Sequence, residues 1–475
     1  MHFVTALLSL TLLALGISGL YTNDPDTRYI TYEEASPILV ALQEILPAEL
    51  RTASSSEIPG IWQKWVERRD AEIRDRLARG DEDSVVNLML FGTSFTTKPR
   101  VTIKTLSQAV ASSAQPSAAS VAKTIQDRAV DLVRAMASPV RNERLAFARR
   151  VVERNGYNLQ AHRADERVIQ YLLSVLDRVL KENAGYARVL ESARLLGDPS
   201  AEFAERSRLF EGRGLSSDTS LLPNFALEKA LTSIKALGLL KLGSVHRVAV
   251  IGPGLDFTDK EDGYDFYPQQ TIQPFAIVDT LLRLGLSTAR DISVTTLDLS
   301  PRVNDHLAAA RRRADSGVGY IVQLPRSLQS SWRPQIIDYW SKLGDRIGVP
   351  VAPAAIPAAV ADVKVRAVRI RPSIVSKVTP KDVNIVLQRL ELPAQRNFDL
   401  IVSTNILVYY NVFEQSLALC NIAQMLRPGG LLLSNNSVLE LPSSRIRSVG
   451  YETVAYSDKD DDGDHIVWYQ RSLEQ

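Results

Sequence analysis

Five residues in the second half of the chain each follow an apolar run and are suited to contact a bound ligand. Gly252 and Gly254 follow the first run, where glycines let the backbone turn tightly and approach a ligand closely. Asp298 ends the second run, where a carboxylate can accept hydrogen bonds from both hydroxyls of a ribose. Asn405 and Tyr409 follow the third run, with an amide to orient a ligand and a phenol to line its pocket. Together they predict a ligand-binding site at the ends of these runs.

The elements that must position these residues alternate between strand and helix. Short apolar runs predict buried strands, and the stretches between them have apolar residues at helical spacing. The predicted order is strand Val248–Ile251, helix Ile272–Leu284, strand Ile292–Leu297, helix Val303–Ala314 and a third strand, or its remnant, at Gly319–Leu324. This alternation predicts a parallel sheet, in which functional residues gather at the carboxyl ends of the strands.

The stretch Arg396–Ser437 carries the most information about the fold. It predicts a buried strand over Phe398–Ser403, a polar loop, a helix closed by Arg427–Gly430, and a second buried strand over Leu431–Ser434. Strand, loop, helix and strand form one βαβ unit, with its polar loop at the carboxyl end of the first strand.

The wording of that stretch, FDLIVSTNILVYY and then LRPGG, resembles the class I methyltransferases that use S-adenosylmethionine, most closely the chemotaxis-receptor branch. A predicted antiparallel hairpin of Tyr451–Ser457 and His465–Gln470 agrees with this resemblance. The resemblance implies an α/β fold with a Rossmann-like seven-stranded sheet ending in an antiparallel C-terminal hairpin. It also implies S-adenosyl-L-methionine as cofactor and an unidentified methyl acceptor, either a protein or a small molecule.

The resemblance gives the first two motifs a role. Gly252 and Gly254 would cradle the amino-acid end of the cofactor, and Asp298 would bind its ribose. This chain carries Val250 where the family usually has an acid, and Asp256 in place of the third glycine. Asp256 is therefore a candidate partner of the cofactor's ammonium group. The residues alone leave open a structural turn for the glycines and a helix cap for Asp298.

A polar residue followed by an apolar one holds the adenine ring in the resembled family. Asp382 with Val383 and Asn384 with Ile385 both fit this pattern, and an ordinary helix start is a third interpretation. The insertion Phe257–Thr271, rich in acidic and aromatic residues, is a candidate lid or substrate-contacting loop.

The loop after Phe398–Ser403 faces the transferred methyl group in the resembled family. We therefore predict that Asn405 and Tyr409 lie at the catalytic position, and that Asn405 also contacts the cofactor. Methyl transfer is an in-line displacement, so positioning and desolvation can supply most of the rate without a dedicated base. The chain lacks the Asn-Pro-Pro-Tyr signature of amino-group methylation.

The first half of the chain, Tyr29–Leu242, is mostly helical in its spacing of apolar residues. Glu211–Pro223 contains Gly, Ser and Pro and predicts a hinge. We therefore predict a signal peptide or membrane anchor over residues 1–22, an α-helical domain over 29–222 and a methyltransferase-like α/β domain over 223–475.

Phe3–Leu20 is an apolar run without a charged residue. Its length lies between that of a signal-peptide core and a minimal membrane span. Cleaved signal, uncleaved anchor and buried helix all stay open. The protein is expected to be exported or attached to a membrane through residues 3–20 if the run is used, and cytoplasmic otherwise.

Composition excludes some classes of site. A net charge of +2 over 475 residues gives no global field to attract nucleic acid. Cys420 is the only cysteine, and the five histidines lie at scattered positions without metal-ligand spacing. Asp458–Asp464 imitates the start of a calcium loop but is better explained as a polar hairpin turn. Two alternatives to a methyltransferase are a non-catalytic, exported or tethered binding protein with the same fold, and another nucleotide-binding α/β enzyme such as a dehydrogenase.

Overall fold

The computed structural model describes residues 26–102, 105, 115–160, 164–196, 214–256, 264–358, 360, 362–459 and 462–473. The apolar run Phe3–Leu20 and the first part of the predicted lid, residues 257–263, lie outside the described residues. No helix within these described ranges is both long enough and apolar enough to cross a bilayer.

Helices dominate the first half of the chain, and strands alternate with helices in the second. The helices are α1 (Tyr32–Ala41), α2 (Ala48–Thr52), α3 (Ile58–Phe91), α4 (Gln115–Ala137), α5 (Glu143–Arg154), α6 (Ala164–Leu196), α7 (Leu222–Ala236), α8 (Gln273–Arg283), α9 (Pro301–Asp315), α10 (Pro334–Lys342), α11 (Pro372–Val375) and α12 (Val412–Met425). The strands are β1 (Thr27–Tyr29), β2 (Arg247–Ile251), β3 (Ser293–Asp298), β4 (Tyr320–Ser327), β5 (Gly348–Val351), β6 (Val363–Ile370), β7 (Val378–Asp382), β8 (Gln388–Leu390), β9 (Phe398–Ser403), β10 (Leu426–Ser434), β11 (Ile446–Ala455) and β12 (Gly463–Arg471).

The main sheet has seven strands in the order β11-β12-β10-β9-β2-β3-β7. Strands β7, β3, β2, β9 and β10 run parallel to one another. Strand β12 is antiparallel to both β10 and β11, which makes β11 and β12 a terminal hairpin. A parallel sheet that ends in such a hairpin, preceded by a helical region, is a methyltransferase-like α/β fold. The predicted fold class is confirmed.

Alternating residues of β2 show how the sheet divides two cores. Val248 and Val250 face the core that contains α7, α8 and α9, whereas Ala249 and Ile251 face the core that contains α1, α12 and the first half of α3. Successive side chains of a strand point to opposite faces, so a strand covered on both faces is apolar throughout. All six residues of β9 are buried for the same reason.

The third strand of the sheet was predicted at the wrong place. Gly319–Leu324 was expected to supply it, but β4 pairs antiparallel with β6 in a separate three-stranded sheet. The third strand is instead β7, which contains Pro380 and ends in charged residues. Proline cannot donate to a neighbouring strand and is tolerated at a sheet edge, which is where β7 lies. Because β7 mixes apolar, polar and charged residues, it is not an apolar run and was not predicted as a strand.

Helix α3 belongs to two cores at once. Trp62 and Trp65 in its first half pack beneath the main sheet, with the Trp65 ring centroid 5.7 Å from that of Phe413. Its last residues, from Val85 to Phe91, pack with α4, α5 and α6 in a core of their own. The helical region is therefore packed directly against the sheet, and a domain boundary at residues 222/223 stays a prediction.

Candidate active site

A cavity of about 640 Å³ lies at the carboxyl ends of β2, β3 and β9. The order of the sheet reverses between β2 and β9, because β3 and β7 follow on one side and β10 on the other. Such a reversal leaves a crevice outside the strand ends, which is where α/β proteins bind ligands. The cavity has the size of a small-molecule site, roughly 300–1,000 Å³.

The glycine loop after β2 forms one wall. Gly252 and Gly254 have φ angles of +61° and +62°, a region that residues with a side chain rarely adopt. A β-carbon at Gly252 would collide with the side chain of Ile406, and one at Gly254 would lie 2.8 Å from the carbonyl oxygen of Ser217. Both glycines line the cavity. The loop therefore requires glycine for its conformation and for the close approach of its neighbours.

Asp298 lies at the end of β3 and lines the same cavity. The backbone N–H of Ser300 donates to its carboxylate at 2.8 Å. Burial raises the pKa of Asp298 to about 6; backbone hydrogen bonds from Ser300 and Gly254 oppose this rise, Asp382 adds to it, and the Arg302 guanidinium opposes it. At neutral pH the group is mainly an ionised acceptor with capacity for further donors.

Asp256 is not among the cavity-lining residues. Its carboxylate accepts hydrogen bonds from the Tyr267 hydroxyl at 2.9 Å and from the Gln270 amide at 2.8 Å, and only 6% of the residue is exposed. These partners belong to the described part of the predicted lid, which folds back on the glycine loop. A role for Asp256 at the cofactor's ammonium group therefore has no support from its position.

The two candidate adenine pairs divide in the same way. Val383 and Ile385 are buried and line the cavity. Asp382 instead forms an ion pair with Arg74 of α3, with 2.8 Å between the carboxylate oxygen and the guanidinium nitrogen, and Asn384 is fully buried in the same network. The apolar member of each pair therefore faces the cavity, and the polar member ties the sheet to the helical region.

Asn405 and Tyr409 both line the cavity, as predicted for residues after β9. Asn405 has a φ of +58°, an uncommon value for a residue with a side chain. Its backbone N–H donates to the Asn435 side-chain oxygen at 2.8 Å, and the Asn435 amide donates to the Asn405 side-chain oxygen at 2.7 Å. These two hydrogen bonds hold the backbone of Asn405 in the left-handed conformation at the carboxyl end of β9. Backbone strain of this kind often occurs at functional sites.

Several cavity residues escaped the sequence analysis. Ser216–Ser220, within the predicted hinge, runs along the glycine loop: Leu255 N–H donates to the Ser217 carbonyl at 2.7 Å, and Thr219 N–H to the Leu255 carbonyl at 3.2 Å. Gln273 and Tyr410 line the cavity as well. No sequence motif predicts that the hinge forms part of the cavity wall, because its position depends on how α3 packs beside the end of β2.

Acidic residues near the start of β12 also line the cavity. Asp462 and Asp464 line it, within the stretch predicted as a polar hairpin turn. No group of three or more potential metal ligands occurs among the described residues, of which 460 and 461 are not part. Asp462 and Asp464 therefore contribute carboxylates to the cavity wall.

No protein-family model matches this chain, and no curated protein sequence matches it either. Solved structures include the N-methyltransferase NodS from Bradyrhizobium japonicum in complex with S-adenosyl-L-homocysteine, at 14% identity over 51% of this chain and 87% of that chain, with a TM-score of 0.25. Magnesium protoporphyrin IX methyltransferase (ChlM) from Synechocystis PCC 6803 with bound SAM is 11% identical over 56% of this chain and 90% of that chain, with a TM-score of 0.25. The glycopeptide N-methyltransferase MtfA complexed with SAM is 12% identical over 53% and 78%, with a TM-score of 0.21.

At such identities and TM-scores, the fold assignment rests on the strand order of this chain's own sheet. None of these three structures is a chemotaxis-receptor methyltransferase, and nothing in the comparisons supports that branch.

Proposed function

We propose that the protein is an S-adenosylmethionine-dependent methyltransferase. One observation carries the proposal: a single cavity at the reversal point of a methyltransferase-like sheet brings together the glycine loop, Asp298, Val383 and Asn405. These residues come from different loops and meet only through the fold. The solved structures named above include methyltransferases that hold this cofactor or its demethylated product, in agreement with the proposal.

The residues present fit the cofactor. Asp298 offers an ionised acceptor for the ribose hydroxyls, and Gly252 and Gly254 line the same cavity, where the amino-acid end would lie beside them. The apolar side chains of Leu299, Val383 and Ile385 would surround the adenine ring. When bound, S-adenosylmethionine supplies an electrophilic methyl group on a sulfonium sulfur.

The remaining cavity residues would orient the reactants. The amide pair of Asn405 and Asn435 holds the loop after β9 in one conformation, and Tyr409 lines the space beside it. Positioning and exclusion of water can account for most of the rate of an in-line displacement. Export or membrane attachment through Phe3–Leu20 stays a prediction.

Calorimetry with S-adenosylmethionine and with S-adenosylhomocysteine tests the proposal. We expect both to bind with micromolar dissociation constants, and the methyl donor to be converted to the homocysteine product when an acceptor is added. Absence of binding would overturn the proposal. Binding without conversion, across acceptors of every nucleophile class, would favour the alternative of a non-catalytic protein that keeps the fold.

The raised pKa of Asp298 predicts a pH dependence for cofactor binding. A carboxyl with a pKa of about 6 is ionised at pH 7 and largely protonated at pH 5. Since the ionised form is the better acceptor for two hydroxyls, affinity should be nearly constant above about pH 7 and fall about tenfold between pH 7 and pH 5. Calorimetry over this range measures the effect. Asp298→Asn, which does not titrate, should lack the decline; an equal decline in both proteins would assign it to another group.

A further inference from the structure

The hairpin end of the cavity indicates what the acceptor is. On the basis of the proposed function, we propose that the methyl acceptor is a cationic amine, held by Asp464 at the start of β12 although the chain lacks the Asn-Pro-Pro-Tyr signature of amino-group methylation. The inference rests on the charges that line the cavity, on the surroundings of Asp464 and on two buried polar groups that face the same space.

The charged side chains that line the cavity are all acidic. They are Asp218, Asp298, Asp462 and Asp464. No lysine, arginine or histidine occurs among the described residues of the lining. The Arg302 guanidinium interacts with Asp218 and Asp298. An acceptor that carries a carboxylate or phosphate would therefore meet like charges mainly at Asp462 and Asp464, whereas an ammonium group would meet opposite ones.

Asp464 has hydrogen-bond donors around it but no counter-charge. The Tyr456 hydroxyl donates to one carboxylate oxygen, and the Asn435 amide donates to the other at 3.2 Å. It forms no ion pair within the described ranges, and burial raises the pKa of its carboxyl. The nearest lysine or arginine along the chain is Lys459 in the turn, and Arg333 pairs with Asp458 at 3.4 Å. A partly buried carboxylate without a cation is costly, and a cationic ligand would offset that cost.

Two further side chains offer polar atoms to a ligand in the cavity. The Tyr410 hydroxyl and the Gln273 side-chain oxygen belong to residues that line the cavity and are only 3% exposed each. Neither atom has a hydrogen-bond partner among the described residues; the Gln273 amide nitrogen donates to Thr404 at 2.8 Å. Both atoms are accessible from the cavity, so each can bond to a ligand bound there.

Gln273 is linked to Asp464 through neighbouring residues. Gln273 bonds to Thr404, the neighbour of Asn405, and Asn405 bonds through Asn435 to Asp464. The Gln273 side-chain oxygen has no partner within the described ranges, and each Asp464 carboxylate oxygen, although it accepts one hydrogen bond, has capacity for another. Acceptors alone suit a ligand that donates several hydrogen bonds, as an ammonium group does.

The transfer step balances with an amine. An ammonium group bound at Asp464 passes one proton to the carboxylate, which leaves a neutral amine with a free electron pair. That pair forms the new bond from nitrogen to the methyl carbon as the bond from this carbon to the sulfonium sulfur breaks, and the breaking bond's electrons stay on sulfur. Asp464 would then be a catalytic residue that both binds and deprotonates the acceptor.

The test is a paired acceptor panel with the full-length protein. Primary and secondary amines, including diamines, lysine derivatives and amino sugars, are supplied beside their N-acetylated forms and beside carboxylic acids of matched size. Formation of S-adenosylhomocysteine is measured for each, and calorimetry with S-adenosylmethionine alone is run in parallel. We expect product with at least one amine and none with its N-acetylated form.

Asp464→Asn keeps the shape of the side chain and removes its charge. For an active amine we expect kcat/KM to fall about 10- to 100-fold, the effect of losing a charge-assisted hydrogen bond. S-adenosylmethionine affinity, which is assigned to Asp298 and the glycine loop, should change less than threefold and reports that the variant is folded. Asp458→Asn, whose side chain is 99% exposed on the same turn, is the matched control and should keep full activity.

Each other outcome has a defined meaning. Retained cofactor binding with no methylated amine, or methylation of carboxylic acids only, overturns the amine acceptor while leaving the proposed function intact. Full activity of Asp464→Asn on an amine overturns the role of Asp464. Failure of the wild-type protein to bind S-adenosylmethionine overturns the proposed function itself.

Discussion

Replacing Asp298 with alanine is expected to weaken S-adenosylmethionine binding about 100-fold or more. The carboxylate lies at the end of β3 and lines the cavity, where it would accept both ribose hydroxyls. Two hydrogen bonds to a charged acceptor contribute about 3 kcal/mol together, which corresponds to a factor of about 100 in the dissociation constant. Calorimetry, or displacement of a fluorescent cofactor analogue where binding is weak, measures the change.

The controls separate a lost contact from a damaged fold. Asp315→Ala removes an exposed carboxylate at the far end of α9 and should leave affinity unchanged. The midpoint temperature of thermal unfolding should be little changed in Asp298→Ala. Burial already disfavours the charged carboxylate, as the raised pKa of Asp298 shows, so its removal should cost little stability. Equal affinities for wild type and Asp298→Ala would remove Asp298 from the site and with it the strongest part of the cofactor assignment.

The second large effect concerns stability. Arg74→Ala is expected to lower the free energy of unfolding by about 3–5 kcal/mol, because it leaves buried carboxylates without their cation. Arg74 is 5% exposed and bonds to Asp70 at 3.1 Å, to Asp382 at 2.8 Å and to Gln388 at 3.3 Å. It thereby joins α3 to the third strand of the sheet and to the segment after it.

Urea unfolding followed by circular dichroism measures this loss. Arg68→Ala, on the same helix but 49% exposed in its pairs with Glu49 and Glu72, is the matched control and should cost less than about 1 kcal/mol. A second variant that combines Arg74→Met with Asp70→Asn should recover part of the loss, because it removes charges from both sides of the pair. Similar stabilities for Arg74→Ala and Arg68→Ala would show that the network adds little.

The sheet could be predicted where strands are buried on both faces. Apolar residues form most of β9 and β2, apart from Asp399 and Arg247 near their starts. The cap of α12 is also local: the Asn411 side chain accepts the backbone N–H of Glu414, whose carboxylate accepts the N–H of Asn411. β7 could not be found in this way. Its position at the sheet edge relaxes the demand for apolar residues, so its sequence looks like a loop.

The candidate site could be predicted in part for a related reason. Gly252, Gly254 and Asp298 follow directly from the ends of apolar strands, so the strand assignment also places them. Asp256 and Asp382 follow strands in the same manner, yet each meets a partner supplied by a distant segment, Tyr267 in one case and Arg74 in the other. The neighbours of a side chain depend on the assembled fold, so the spacing of residues along the chain cannot predict them.

The segment that joins the helical region to the sheet has a further consequence. Leu215 bonds to the carbonyl of Arg76 in α3, and Ser217 and Thr219 bond to Leu255 beside the glycine loop. Cleaving the chain there, or expressing the sheet from residue 223 onward, would remove one side of the pocket along with the helices. The helical region and the sheet therefore share one cavity wall. Replacing either of them with the corresponding part of another protein would require a new set of contacts along residues 215–220.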